Sequence, residues 1–151
     1  MLKKEQDEIQ NLVSIINGNI AFYDEIYKAG NEYETPAVGT IQGRMWKGKA
    51  DIVTDNAVID LKTTSDIHKF KYSAKSYNYD SQCYIYQELF GKPLVFYVVD
   101  KATAQLGIFR PTEEFVRGGE AKVLRAVEVY QKYYGANPTD DIANYYIEDT
   151  L

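Results

Sequence analysis

Two short apolar runs, each broken at one position by an aspartate, limit what this chain can fold into more than any other feature. Gly48-Lys49-Ala50-Asp51-Ile52-Val53-Thr54 and Ala57-Val58-Ile59-Asp60-Leu61-Lys62-Thr63 are separated by Asp55-Asn56. That dipeptide suits a tight two-residue turn, so the runs read as a β-hairpin. A carboxylate between apolar neighbours is costly to bury alone. It either points to solvent from a one-sided sheet or is paired with a cation. With 55 and 56 opposed at the turn, Asp60 falls directly opposite Asp51, Cβ atoms roughly 5 Å apart. Like charges placed so are destabilising unless something neutralises them. Alternation puts Lys62 on the same face as Asp60, where it neutralises the pair in part and could position an attacking water or help deprotonate it. A hard divalent cation would neutralise the pair through carboxylate and carbonyl oxygens. The spacing alone fits equally well a solvated hairpin face bearing an Asp-Asp-Lys cluster.

The rest of the chain supplies a frame for that hairpin. Residues 5 to 29 carry apolar side chains at helical spacing, interrupted at Asn17-Gly18-Asn19, and predict two helices or a kinked pair. Residues 33 to 41 read as extended, with Pro36 favouring an edge. The polar, basic stretch 64 to 77 reads as a loop or short helix. Asp80 to Phe90 is helical, stopped by Gly91 and Pro93. Leu94 to Val99 is a continuous apolar run, the pattern of a strand buried on both faces. Gln105 to Arg110 predicts its antiparallel neighbour. A helix follows from Thr112 as N-cap to about Tyr134, with Val116, Val123, Leu124, Val127 and Tyr130 expected inward. The tail from Asn137 leaves room for one more short helix. The order α-β-β-β-α-β-β-α implies an α/β (α+β) fold, a mixed sheet of about five strands flanked by helices. We expect a single domain over 1–151: a helical arm (1–30), a core (32–110), a flanking helix (112–135) and a tail (136–151).

Composition narrows the chemistry. One cysteine, Cys83, and one histidine, His68, leave no thiolate zinc site and little scope for histidine-based catalysis. The net charge of −5 argues against a protein that coats DNA with a broad basic face. Charge is nevertheless segregated. The span from Arg44 to Lys75 holds Arg44, Lys47, Lys49, Lys62, Lys69, Lys71 and Lys75, while acids gather in the first 35 residues and the tail. The opening residues are too polar for a signal peptide. No apolar run approaches the roughly 20 residues of a membrane span. We therefore expect a cytoplasmic protein, in a bacterium or a phage-infected cell, with no membrane partner.

Gly43-Arg44, Lys47-Gly48-Lys49-Ala50-Asp51 and then Val58-Ile59-Asp60-Leu61-Lys62-Thr63-Thr64 resemble the PD-(D/E)XK nuclease motif, with Ala50 where the motif has Pro. Tyr77-Asn78-Tyr79-Asp80-Ser81-Gln82-Cys83-Tyr84-Ile85-Tyr86 resembles the Gln-x-x-x-Tyr helix of the RecB-like and RecE-like branch (lambda exonuclease, exonuclease VIII). Gln82 and Tyr86 stand four apart, on one helix face. The resemblance implies a restriction-endonuclease-like core. It implies a metal-dependent nuclease that cleaves DNA to 5′-phosphates, an exonuclease in recombination or end processing before a structure-specific or single-strand endonuclease. It implies Mg²⁺ or Mn²⁺ held by Asp51, Asp60 and the Leu61 carbonyl, with Glu34 as a further ligand and Glu32 its competitor. Lys62 would orient the water, and Gln82 and Tyr86 would support the site or touch DNA. Arg44, Lys47, Lys49, Thr63, Lys69, Lys71 and Tyr79 would face the DNA. Relatives in that branch form rings and work with a single-strand annealing protein, so a homo-oligomer and such a partner are further expectations. From another class, the alternative is a non-catalytic DNA- or protein-binding domain on the same fold, which the acidic charge favours.

Several residues carry weaker signals. His68 reads as a surface residue near DNA, Lys75 equally as a phosphate contact or a solvated loop residue, and Cys83 as core. Trp46 suits packing under the hairpin as well as stacking on a base. The pairs Tyr133-Tyr134 and Tyr145-Tyr146 read as packing residues.

Overall fold

The computed structural model describes residues 3–150; Met1, Leu2 and Leu151, which belong to the expected arm and tail, lie outside the described residues. Two amphipathic helices open the chain, α1 (Lys3–Asn17) and α2 (Ile20–Ile26). The break expected at Asn17-Gly18-Asn19 is a cap: the Asn19 side chain accepts the Phe22 N–H at 3.1 Å. Five strands follow: β1 (Glu32–Ile41), β2 (Arg44–Val53), β3 (Val58–Thr64), β4 (Leu94–Asp100) and β5 (Leu106–Phe109). They form one mixed sheet in the order β1-β2-β3-β4-β5. β1 and β2 turn at Gln42-Gly43, where both residues have positive φ (51° and 70°), as a type I′ hairpin needs.

The second hairpin has the register read from the sequence, with Ile52 opposite Ile59 and Val53 opposite Val58. Its turn is fixed by Thr54, whose N–H reaches the Ala57 carbonyl at 2.9 Å. The Thr54 hydroxyl also accepts the Asn56 and Ala57 N–H groups. β3 and β4 then run parallel, with Asp60 beside Phe96 and Lys62 beside Val98. A parallel pair needs a crossover. It is made by a 3-10 turn (Ile67–Lys69), α3 (Phe70–Ser76) and α4 (Tyr79–Phe90). The stretch expected as loop or short helix is therefore helical, started by the Asp66 carboxylate on the His68 and Lys69 N–H groups. α4 ends at Gly91, in the left-handed conformation (φ 64°).

Every residue of β4 is buried, as its unbroken apolar run requires. One sheet face packs Ile52, Ile59, Val95 and Tyr97 against Phe22 and Ile26 of α2. The other packs Ala50, Val58, Phe96 and Val98 against Phe70, Ala74 and Cys83 of α3 and α4. α5 (Glu113–Tyr134) lies on α4, capped by Thr112 as expected. Val123 and Val127 are its buried contacts, but Leu124 and Tyr130 are 40% and 50% exposed, contrary to their expected inward placement. α5 buries a narrower stripe, Gly119, Val123 and Val127, than its apolar pattern allows for. Tyr145 and Tyr146 are also exposed (64% and 75%), because the tail makes only a short 3-10 turn at Ile142–Asn144 and does not fold into the core. No helix among the described residues is long and apolar enough to cross a membrane.

Two buried carboxylates brace this frame. Asp80, 1% exposed, meets Lys122 of α5 at 2.8 Å. The helices touch so closely here that a Cβ on Gly119 would lie 1.9 Å from the Asp80 carbonyl oxygen. Asp100 accepts the N–H groups of Ile67, Ala102 and Thr103 at 2.9, 2.8 and 3.1 Å. Burial works to raise its pKa, yet these backbone donors outweigh it and hold the carboxyl below its usual value. A depressed carboxylate contributes stability above the unfolded-state pKa and loses it as pH falls through the folded one. Lys122→Met should cost about 2–3 kcal/mol in a urea titration, since it strands a buried charge. Asp100→Asn should cost about 1–3 kcal/mol at pH 7 and should flatten the acid-side fall of stability below about pH 4, the ordinary carboxylate range.

Candidate active site

The β2–β3 ladder stops at Ile52 and Ile59, one position short of the two aspartates. Beyond it the strands part, and the Asp51 carboxylate fills the gap by accepting the Leu61 N–H at 2.9 Å. In an extended strand the N–H and C=O of one residue point to the same side. The Leu61 carbonyl is therefore turned toward Asp51 as well, away from β4. Asp60 is 5% exposed. Its Oδ1 accepts Gln82 Nε2 of α4 at 2.6 Å. Its Oδ2 has Lys62 Nζ at 2.7 Å but lies outside hydrogen-bonding geometry and out of water. That oxygen is charge-paired without being saturated. Burial, with Asp51 adding to it, raises the Asp60 carboxyl above its usual pKa against the opposing pull of Lys62 and Gln82.

Helix α4 presents three residues to the strands from one side. Tyr79 places its ring 4.7 Å from Lys62 Nζ, Gln82 holds Asp60, and Tyr86 donates its hydroxyl to the Lys49 carbonyl at 2.9 Å. The expected core of Asp51, Asp60, Leu61, Lys62 and Gln82 is thus brought together. Tyr86 is half-buried against Gly48 and supports β2 just before Asp51. Cys83, between these positions, is pushed up to about 12 by burial first and then by Asp60 and Asp80, so it stays a thiol.

Other expected residues stand elsewhere. Glu34 is the register partner of Asp51, at the one gap in the ladder between Tyr33–Ile52 and Thr35–Ala50. Its φ of 51° is rare for a residue with a side chain. Its carboxylate pairs with Lys49 instead of joining the aspartates, and that contact raises the Lys49 pKa. Glu32 is exposed at the start of β1. Among the described residues no group of three or more Asp, Glu, His or Cys side chains is gathered for a metal, so the four-ligand set that includes Glu34 is not assembled. Tyr79, expected to face DNA, is packed with its ring centre 5.4 Å from that of Phe96 and 6.0 Å from that of Phe70. Arg44 lies at the far end of β2, about 24 Å along the strand from Asp51 at ~3.4 Å per residue. There it stacks on Tyr130, 5.1 Å from the ring centre, in a cleft of about 630 Å³ that Trp46 and Val127 also line. Trp46 donates to the Ile41 carbonyl at 3.1 Å and packs. Thr63 is exposed, one residue past Lys62 and so on the opposite sheet face. Lys47 is exposed on β2. Lys69 is tied to Asp66 at 2.9 Å and Lys71 lies over the Tyr72 ring.

The donor set is two carboxylates and one backbone carbonyl, all hard oxygens, with one buried carboxylate oxygen paired to Lys62 but outside hydrogen-bonding geometry. It suits an oxygen-loving divalent cation that keeps several waters, such as Mg²⁺ or Mn²⁺, and does not suit zinc.

A family model described as "PDDEXK-like domain of unknown function (DUF3799)" matches residues 1–137. The chain belongs to this family. No curated protein matches this PDDEXK-like chain. Among solved structures, a protein from Eubacterium rectale, provisionally named an exonuclease, superposes with a TM-score of 0.73 at 20% identity, over 99% of this chain and 64% of that one. This PDDEXK-like chain therefore spans about two thirds of that structure's length, and the likeness is one of fold. A second structure, SSO0001, has a TM-score of 0.41 at 19% identity, over 81% of this chain and 69% of that one. The mixed five-stranded sheet with helices on both faces is the restriction-endonuclease-like fold.

A raised carboxyl pKa is a stability cost at neutral pH: the folded state gives up stability as pH rises from the unfolded-state value through the folded one. The Tm of Asp60→Asn relative to the native protein should therefore rise as pH goes from about 4 to 7 in the absence of divalent ions. Saturating Mn²⁺ should raise the Tm of the native protein and leave that of Asp60→Asn unchanged, as a thermal melt would show.

Proposed function

We propose that this chain is a metal-dependent deoxyribonuclease that hydrolyses phosphodiester bonds to leave 5′-phosphates, acting as an exonuclease on DNA ends. The observation that carries this reading is the convergence of Asp51, Asp60 and Lys62 at the point where the hairpin ladder opens, with Gln82 fixing Asp60 from α4. Asp51, Asp60 and the Leu61 carbonyl would hold the cation. When bound, it would activate water and stabilise charge developing on the phosphate oxygens. Lys62 sits beside the carboxylates as a fixed positive charge, placed to orient the attacking water or shield the phosphate. Gln82 keeps Asp60 from rotating away. Tyr86 and the Lys49 carbonyl hold the end of β2 in place.

DNA is the proposed substrate, and Lys47, Lys49, Lys69 and Lys71 are proposed phosphate contacts. Lys49 would have to leave Glu34 to serve. Glu34 would then be free to complete the metal set. A ring-forming oligomer and a single-strand annealing partner remain part of the proposal on resemblance. The net charge of −5 favours a second reading, a binding domain that retains the nuclease fold.

The test is cleavage of end-labelled linear and closed-circular DNA by purified protein with Mg²⁺, Mn²⁺ or EDTA. Loss of linear DNA alone, abolished by EDTA and reduced on the order of 10²- to 10³-fold in Asp60→Asn or Lys62→Ala, is expected. Nicking of circles would replace the exonuclease with an endonuclease. Cleavage that persists undiminished in Asp60→Asn would overturn the assignment.

A further inference from the structure

Lys62 has two partners, and nuclease chemistry accounts for only one of them. Asp60 Oδ2 lies 2.7 Å from its ammonium, and the ammonium lies over the Tyr79 ring, 4.7 Å from its centre. A lysine ammonium within about 6 Å of a ring centre is attracted by the negative face of the ring. Tyr79 cannot swing aside. Its ring packs on Phe96, Phe70 and Tyr77 at 5.4, 6.0 and 5.8 Å between centres, and it is part of the cluster around Ala74 and Cys83. The face of the ring is what Tyr79 offers Lys62. Tyr79 precedes Gln82 by three residues on α4, which puts the holder of Lys62 and the holder of Asp60 on one helix face. α4 is in turn fixed at this end by the Asp80–Lys122 pair.

Asp60 cannot give its full charge both to Lys62 and to a divalent cation. Its Oδ2 is the buried oxygen left short of a hydrogen bond, and a cation taking it would weaken the carboxylate's hold on the lysine. The aromatic face would remain. We infer that Tyr79 is a positioning residue for Lys62, its ring holding the ammonium beside Asp51 and Asp60 when Asp60 is shared with a divalent cation. This inference rests on the nuclease reading for its purpose and on the Lys62–Tyr79 geometry for its content.

The experiment compares Tyr79→Phe, Tyr79→Met and a protein with pentafluorophenylalanine at position 79. Phe keeps the negative ring face; Met keeps apolar bulk without it; the fluorinated ring keeps the shape and reverses the charge of the face. The first readout is the Lys62 side-chain CH₂ resonance, assigned through Lys62→Arg, with and without Mg²⁺. The second is DNA cleavage. Tyr79→Phe should keep both the upfield ring-current shift and the native kcat. Tyr79→Met should lose the shift, and both it and the fluorinated protein should lose about 10- to 100-fold in kcat with KM for DNA little changed, the size expected for a misplaced catalytic group. The fluorinated protein answers the question if Tyr79→Met does not fold. An unmoved Lys62 resonance in Tyr79→Met would overturn the inference. So would native kcat in the fluorinated protein, or a loss confined to KM, which would make Tyr79 a DNA contact. If the native protein does not cleave DNA, the nuclease reading fails, and the resonance readout still decides whether Tyr79 holds Lys62.

Discussion

Two carboxylates meet where the second hairpin comes apart, and the rest of the structure is arranged around keeping them there. At the roughly 5 Å typical of a directly opposed cross-strand pair, two such charges repel by about 3 kcal/mol at an effective dielectric near 20. A continuous ladder would force that pairing with no compensation. Here the ladder ends at Ile52 and Ile59, and Asp51 turns its carboxylate onto the Leu61 N–H. One carboxylate is thus satisfied by backbone, and the other is left to Lys62 and Gln82. The arrangement balances its charge through Lys62, and its oxygen donors are of the kind a hard divalent cation takes.

The surrounding frame supplies rigidity. β4, buried along its whole length, fixes β3 from one side. α4 fixes both strands from above through Tyr79, Gln82 and Tyr86, and α5 fixes α4 through Lys122 and the close approach at Gly119. Buried charges are weak contributors to net stability but strict about geometry. Asp60, Asp80 and Asp100 each mark a junction between elements that must keep its spacing.

Much of this was legible in the sequence because it rests on short-range rules. The turn at Asp55-Asn56 sets the register arithmetically, and that arithmetic places Asp51 and Asp60 opposite each other. The unbroken run from Leu94 to Val99 identifies the central strand, and Thr112 and Gly135 bound α5. What was not legible depends on distance in the chain. Nothing local to Asp80 announces Lys122, and nothing in Gly118-Gly119 says which helix approaches it. Lys49 and Glu34 are separated by a whole hairpin turn, and their pairing removes Glu34 from the expected ligand set. Arg44 and Tyr79 illustrate the opposite error. Both have side chains suited to nucleic acid, but a strand's length carries Arg44 away from the centre, and packing under Lys62 takes Tyr79 out of reach. An apolar stripe on a long helix likewise overstates what is buried, as Leu124 and Tyr130 show.

The central claim is that Asp51, Asp60 and the Leu61 carbonyl form one site for a hard divalent cation. Crystals of the protein soaked in Mn²⁺ test it directly through anomalous scattering at the manganese edge. The account predicts a peak within about 2.0–2.4 Å of a carboxylate oxygen from each aspartate and of the Leu61 carbonyl oxygen, in the range of Mg²⁺- and Ca²⁺-type oxygen ligation. A fully soaked crystal with manganese bound elsewhere and Lys62 still filling the space beside Asp60 would contradict it.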